Sequence, residues 1–339
     1  MRKTRIFIVS VVIFSLFISA CSKKEELSLW NDEAPAKKAL VEYVKNVTKK
    51  SSADYIPEEN RIAVFDLDGT LFCETNPTYF DFQLFVHRVL EDESYTPTQE
   101  QLNVAKVFKD TGYVPPLSAE YEKMLATAYE GFTLEAFDRY VKDFMETNQP
   151  GYNNLKRANA FYKPMVQVIS FLEQNGFTVY VSSGTNRFIL RTLVGTTLKL
   201  PAKQIIGSDN LLVSTNQEGK DGLSYTFSVN DEILFGGENI IKNLQMNKVS
   251  TIVKEIGIQP VLGFGNSLTD ASMVNYAMAN KKYKSLGFML CCDDLEREYG
   301  NLKKASKMLE DCNENGWIPI SMKNDWKTIY GSEVSKTGE

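Results

Sequence analysis

Asp66 and Asp68 stand two positions apart, directly after the apolar run Ala63-Val64-Phe65, and Gly69-Thr70-Leu71 follows them. Side chains alternate along an extended chain, so both acids leave one strand end on the same side. Gly69 then lets the backbone turn sharply away. An acidic turn capping the next element would also show two carboxylates, but a strand interior gains nothing from like charges so close. Acids placed this way face a common ligand, and they suit nucleophilic and proton-transfer work.

Two further β-rich runs end on polar residues. Thr178-Val179-Tyr180-Val181 leads into Ser182-Ser183-Gly184, and Val261-Leu262-Gly263-Phe264 leads into Gly265-Asn266-Ser267-Leu268-Thr269-Asp270. Ser183 directly precedes the glycine expected to open the next helix, where it would serve as an N-cap and helix-start amides would bind an anion. Between these runs, residues 247–257 carry apolar side chains at Val249, Ile252, Val253 and Ile256, with Gly257 as a stop, which predicts a helix. Lys248 falls in its first turn, where a cation opposes the helix dipole. That placement makes sense if Lys248 serves something other than the helix. Polar residues at the carboxyl ends of three strands predict an open parallel α/β sheet with its site along that edge.

These segments resemble, in order, the four motifs of the haloacid dehalogenase (HAD) superfamily, over roughly residues 61–330. The resemblance implies a doubly wound, Rossmann-like parallel core, with Asp66 as nucleophile and Asp68 as general acid/base. It implies that Ser183 and Gly184, together with Thr70 and Lys248, hold the transferring phosphoryl group. Mg2+ would be bound by Asp66, the Asp68 backbone carbonyl and Asp270, in an octahedron of oxygens completed by phosphate and water. Asn266 stands where many relatives carry Asp, and it could join the metal only through a neutral oxygen or a water. The second acid matters, because dehalogenase-type relatives lack it and P-type ATPases carry Thr there. Asp68 therefore points to a phosphatase acting on a small phosphorylated metabolite, with a phosphotransferase or phosphomutase, or a silent lipid-anchored binding protein, as alternatives. Phosphoserine phosphatases are similar in the Val-Ser-Ser-Gly pattern, but they carry a substrate-binding Glu nine residues after the nucleophile. Here that position is Thr75, and Glu74 lies one residue short of it.

The elements that must position these residues follow from the pattern of the chain. Residues 61–76 and 162–330 are assigned to the core and residues 77–161 to a helical insertion resembling the superfamily's C1 cap, with helices capped by Ser118 and Thr133. Pro164 near the start and Gly176 after the end bracket a helix that feeds the second strand. Residues 211–213 and 225–227 are expected to pair as a hairpin, 286–290 to form a further strand, and Asp293-Asp294 to line the site rim or form an exposed acidic turn. Residues 331–339 are polar and expected to be disordered.

The single histidine, His87, lies in an amphipathic stretch and excludes phosphatases built on a histidine nucleophile. It also makes a multi-His zinc site improbable. Residues 1–20 combine a basic head with a short apolar run, as a secretory signal does, and Ile18-Ser19-Ala20-Cys21 resembles a bacterial lipobox. Cys21 would then carry the lipid and attach the protein to a membrane of the cell envelope, with residues 22–38 as a tether and a helix over 39–47 within the segment 21–60. Without residues 1–20 the chain holds 35 basic against 43 acidic residues, a surface unsuited to nucleic acid. Export would permit a disulfide between Cys312 and Cys291 or Cys292; buried free thiols are the equal alternative.

Overall fold

The computed structural model describes residues 27–74 and 78–338. The signal, the lipobox with Cys21, and Thr75 lie outside the described residues. Along the chain come α1 (Pro35–Thr48), β1 (Ile62–Phe65), α2 (Phe80–Leu90), α3 (Gln99–Thr111), α4 (Ala119–Thr127) and α5 (Leu134–Met145). Then follow β2 (Tyr152–Asn153), α6 (Lys163–Gln174), β3 (Thr178–Asn186), α7 (Arg187–Leu198), β4 (Ile205–Ser214), β5 (Ile233–Ile241) and α8 (Met246–Glu255). The last third adds β6 (Leu262–Gly265), α9 (Ala271–Met278), β7 (Leu286–Cys291), α10 (Leu302–Asn315), β8 (Ile318–Ser321), α11 (Met322–Asp325) and β9 (Ser335–Lys336).

The main sheet runs β5-β4-β3-β1-β6-β7-β8, parallel throughout except for β5, which is antiparallel to β4. This is the open parallel α/β sheet that the strand pattern predicts and the doubly wound, Rossmann-like architecture that the resemblance implies. All four residues of β1 are buried, as expected of a strand covered by helices on both faces. The chain builds outward from β1 through β3 and β4 on one side and through β6, β7 and β8 on the other, so its direction of winding reverses at β1. Ligands bind at the carboxyl ends of strands where such a reversal occurs.

Register brings Phe65, Phe264 and Phe288 side by side on β1, β6 and β7. Their rings stack at 4.2 and 4.8 Å between centroids, with interplanar angles of 3° and 8°. Phe65 is the last residue of β1 and directly precedes Asp66, and Phe264 is one position short of the end of β6, so this aromatic row forms the floor beneath the site. The insertion α2–α5 lies over the carboxyl edge. Thr98, Ser118 and Thr133 cap α3, α4 and α5 through their hydroxyls. α4 packs on β5 and α5 on α7, and Phe137 meets Phe235 at 4.6 Å.

Several expectations need correction. The hairpin forms between β4 and β5 rather than between 211–213 and 225–227; Tyr225 instead donates to Asp231 at 2.7 Å within the connecting loop. Two glycines, Gly236 and Gly237, dilute the strand signal of β5, and bulges absorb them. The proximal tether is docked rather than free. Trp30 is 1% exposed, sits edge-on to Trp326 and donates to the Pro164 carbonyl at 3.0 Å, and the following helix already starts at Pro35. The expected disordered tail contributes β9, which pairs with β2. Asp293 and Asp294 neither line the site nor stand exposed as a pair. Asp293 accepts from Ser321 and the Lys323 amide, and Asp294 accepts from Arg297 and two amides. Cys291, Cys292 and Cys312 are buried free thiols, and no helix among the described residues is long and apolar enough to cross a membrane.

The aromatic floor yields a stability test. Phe264→Ala removes a fully buried ring with two stacked neighbours and should cost about 3–5 kcal/mol, whereas Phe227→Ala, at a half-exposed ring in the β4–β5 loop, should stay within about 0.5 kcal/mol. Urea unfolding of the two variants beside the parent checks this; equal losses would remove the floor from the account.

Candidate active site

The β1–β6 ladder continues one residue past β1, since the Asp66 amide donates to the Phe264 carbonyl at 2.9 Å. The chain then curls through Leu67, which is buried in the core, to Gly69 at φ +79°. Gly69 donates its amide to Phe72 at 2.7 Å. A Cβ at Gly69 would fall 1.9 Å from Asn266 Nδ2 and 2.7 Å from Glu74 Oε2, so both the conformation and the space demand glycine. Asp66 and Asp68 emerge from this turn into one cavity of about 250 Å3, as alternation predicts.

Their surroundings differ sharply. Lys248 at the start of α8 is fully buried, and its Nζ donates to Asp66 Oδ1 and to Asp270 Oδ1, each at 2.6 Å. Asp270 directly precedes α9, where its Oδ2 accepts from the Asn266 amide, the Ser267 amide and the Ser267 hydroxyl, all at 3.1 Å. Burial and the Asp270 charge raise the Asp66 pKa to about 7 against the pull of Lys248. Burial would lower the Lys248 pKa, but Asp270 and Asp66 outweigh it and raise it. Asp68 has no lysine. Its Oδ2 accepts from Thr185 Oγ1 at 2.9 Å, and its Oδ1 is buried with no partner among the described residues. Burial first, then Asp81 and Asp66, push the Asp68 carboxyl well above the usual carboxylate range.

Ser183 and Gly184 line the same cavity, but not at a helix start. β3 continues to Asn186, and Asn186 caps α7 through its side chain, so the expected N-cap role of Ser183 is replaced by a place on the extended strand. Ser182 is held away from the cavity, accepting from Asn243 Nδ2 at 3.1 Å. A Cβ on Gly184 would meet Leu244 at 2.5 Å. Thr70 is fully buried beneath Asp66, with its hydroxyl 3.4 Å from Asp66 Oδ2 and 3.5 Å from Asn266 Oδ1, and it is not part of the cavity wall. The structure therefore puts Thr70 behind the nucleophile candidate, not against a phosphate. Asn266 lines the cavity and donates its amide to Glu74 Oε2 at 3.1 Å, which turns its oxygen toward Thr70 and Asp66.

Other residues here escaped the sequence reading. Thr185 was findable, since it lies two positions after Ser183 and shares its face. Asp81 and Lys242 reach the cavity wall from α2 and from the segment before α8, and nothing in their local pattern marks them. Glu74 is spent structurally: Lys304 donates to both its oxygens at 2.8 Å, and Tyr79 and Asn266 also donate to it. His87 sits on α2 against Phe144, away from the cavity.

No set of three His, Cys, Asp or Glu side chains converges as a metal cage among the described residues. Asp66 and Asp270 do converge, on the Lys248 ammonium. Two hard carboxylates, a neighbouring backbone carbonyl and an open cavity suit Mg2+, which takes few protein ligands and keeps its waters and substrate oxygens.

A family model of haloacid dehalogenase-like hydrolases matches residues 63–274, which carry Asp66, Asp68, Ser183, Lys248, Asn266 and Asp270. The chain belongs to this family. Among solved structures, it is similar to a conserved, functionally unknown protein from Anaerococcus prevotii DSM 20548, at 13% identity and a TM-score of 0.50, over 90% of this chain and 96% of that one. A protein with unknown function from Bordetella pertussis Tohama I is similar at 13% identity and a TM-score of 0.50, over 77% and 98% of the two chains. A substrate-bound phosphoserine phosphatase is similar at 14% identity and a TM-score of 0.39, over 77% and 92%. At such identities these likenesses concern the fold. No curated protein matches the sequence.

Lys248→Met tests the electrostatics of this haloacid dehalogenase-like site. Removing the ammonium leaves Asp66 and Asp270 buried without their cation, so the variant should lose about 3–5 kcal/mol in EDTA. Added Mg2+ should restore part of the loss by binding only the folded state. Chemical denaturation with and without the metal measures both. A loss below about 1 kcal/mol would show that the two carboxylates do not depend on Lys248.

Proposed function

We propose that the protein is a Mg2+-dependent phosphomonoesterase working through an aspartyl-phosphate. The observation that carries this reading is the different treatment of two acids in one cavity: Asp66 is held by a buried lysine, and Asp68, half-buried, has none and keeps its buried Oδ1 without a partner among the described residues. A carboxylate oriented by Lys248 can attack phosphorus in line. A carboxyl whose pKa is raised can protonate the departing alkoxide, and afterwards take the proton of the attacking water. Ser183 and the backbone at Gly184 would hold the phosphoryl oxygens, with Lys248 beside them. Mg2+ bound by Asp66, Asp270 and the Asp68 carbonyl, with Asn266 adjoining, would supply the positive charge that lets an anionic nucleophile meet an anionic phosphate. Uncatalysed monoester hydrolysis is so slow that enhancements reach ~10²¹-fold, and positioned charge is the largest source available.

Asp68→Asn separates the two steps. With an aryl phosphate the leaving group departs without a proton, so Asp66 should still be phosphorylated. An amide cannot then take the proton from water. The expected result is a burst of aryl alcohol, near-zero steady turnover, and an acid-stable, base-labile mass gain of one phosphoryl group on the Asp66 peptide. Asp66→Asn should show neither burst nor adduct. Normal turnover by Asp68→Asn, or a label on Ser183, would overturn the assignment.

We also propose that Cys21 is lipidated and that the catalytic domain is displayed from a membrane of the cell envelope. The reading rests on the basic head, short apolar run and Ala20-Cys21 junction. Acyl chains contribute about 0.8 kcal/mol per buried methylene, so Cys21→Ala should move the protein from the membrane fraction to the soluble one. Unchanged membrane retention would sink this reading.

A further inference from the structure

Beyond the phosphate end of the cavity lies a second compartment of about 50 Å3, and the two share Asp81, Phe82 and Lys242 in their walls. One water needs about 10–15 Å3 of such space, so the compartment takes a few heavy atoms and is too small for a sugar ring or a base. Its polar walls are mostly spent. Asn186 caps α7 and donates to Asn210, Ser208 donates to the Gly184 carbonyl, and Asn239 donates to Glu122 Oε2 at 3.2 Å. Two buried atoms remain without partners among the described residues: Glu122 Oε1 and Tyr129 Oη. Glu122 is 9% exposed, and only its other oxygen meets Lys242, at 3.4 Å. With Asp81 beside them the compartment carries two carboxylates against one ammonium, among the rings of Phe82, Phe85 and Tyr129.

An unpartnered, buried carboxylate oxygen in a space with excess negative charge calls for a cation that also donates hydrogen bonds. A primary ammonium has three N–H donors and a compact charge, and aromatic walls favour cations further. A neutral hydroxyl would satisfy the oxygen but leave the charge excess. We propose that this compartment reads a protonated amine on the leaving group, so that the substrate is the phosphate ester of a small amino alcohol. The inference rests on the phosphomonoesterase reading of the neighbouring cavity.

The test is phosphate release by the full protein with Mg2+ from matched esters: 2-aminoethyl, 2-hydroxyethyl and propyl phosphate, and the same trio one methylene longer, with 4-nitrophenyl phosphate alongside. At the better chain length, kcat/KM for the amine should exceed both partners by about tenfold or more, the selectivity of one charge-assisted hydrogen bond. Glu122→Gln should bring that ratio to within about threefold of unity. Should that variant fail to fold by circular dichroism, Asp81→Asn must lower the same ratio. If 4-nitrophenyl phosphate is cleaved and the matched esters differ by less than about threefold, this inference falls alone. A folded Glu122→Gln that keeps the parent's ratio also overturns it. If no ester releases phosphate, 4-nitrophenyl phosphate included, the phosphatase reading falls and takes the inference with it.

Discussion

The rest of the structure depends on a single ammonium shared between two carboxylates. Asp66 leaves β1, Asp270 leaves the loop after β6, and Lys248 comes from α8, three segments far apart in sequence that meet at 2.6 Å contacts. Two unit charges about 4 Å apart interact by about 4 kcal/mol at an effective dielectric of about 20, a large share of the 5–15 kcal/mol by which a domain is stable. A sheet that gathers like charges at one edge must therefore deliver a counter-ion to the same place. The order β3-β1-β6 does this. It sets Ser183 and Thr185 on one flank of Asp66 and Asn266 and Asp270 on the other, and the helix before β6 brings Lys248 between them.

That dependence explains which parts were legible in the sequence. Strand ends bearing Asp66, Asp68, Ser183 and Asp270 were readable because period-two patterning and a glycine at a turn are local properties. Lys248 was readable because a cation in the first turn of a helix is locally unfavourable. Asp81, Lys242 and Lys304 carried no such contradiction, since each looks like an ordinary surface charge until the tertiary fold encloses it. The same distinction accounts for β5: its paired glycines weaken the local strand signal, yet pairing with β4 and packing against α4 settle its conformation. Trp30 and Ser335–Lys336 likewise look like tether and tail, because the partners that hold them, Trp326 and β2, are remote in sequence.

Asp66 and Asp68 show how one short turn produces two different acids. They are two residues apart and open into one cavity, so neither propensity nor sequence neighbourhood separates them. What separates them is the company on each side. Toward β6 and α8 lies a buried lysine; toward β3 lies a threonine hydroxyl, and beyond it the carboxylate of Asp81. A nucleophile needs its charged form within reach of phosphorus, and a proton donor needs its neutral form at the ester oxygen. The asymmetry of the sheet about β1 is what would let the proposed nucleophile and the proposed proton donor differ without any change in residue type.

Under the proposed function, the cavity and its annex would read a substrate from two ends with opposite charge. At the sheet edge, Asp66 and Asp270 are arranged around Lys248 beside the strand end at Ser183, so that part would accept an anion once its own charges are offset. Under α2 and α4, Asp81 and Glu122 outnumber Lys242, and that part keeps its negative excess. The two regions share Asp81, Phe82 and Lys242 in their walls, so a change in the insertion would alter the far end of the proposed substrate and leave the strand ends in place. Because α4 is fastened to β5 and α5 to α7, the insertion is referenced to the same sheet that carries Asp66. The proposed specificity and chemistry would thus be held in one frame, although they arise from separate stretches of chain.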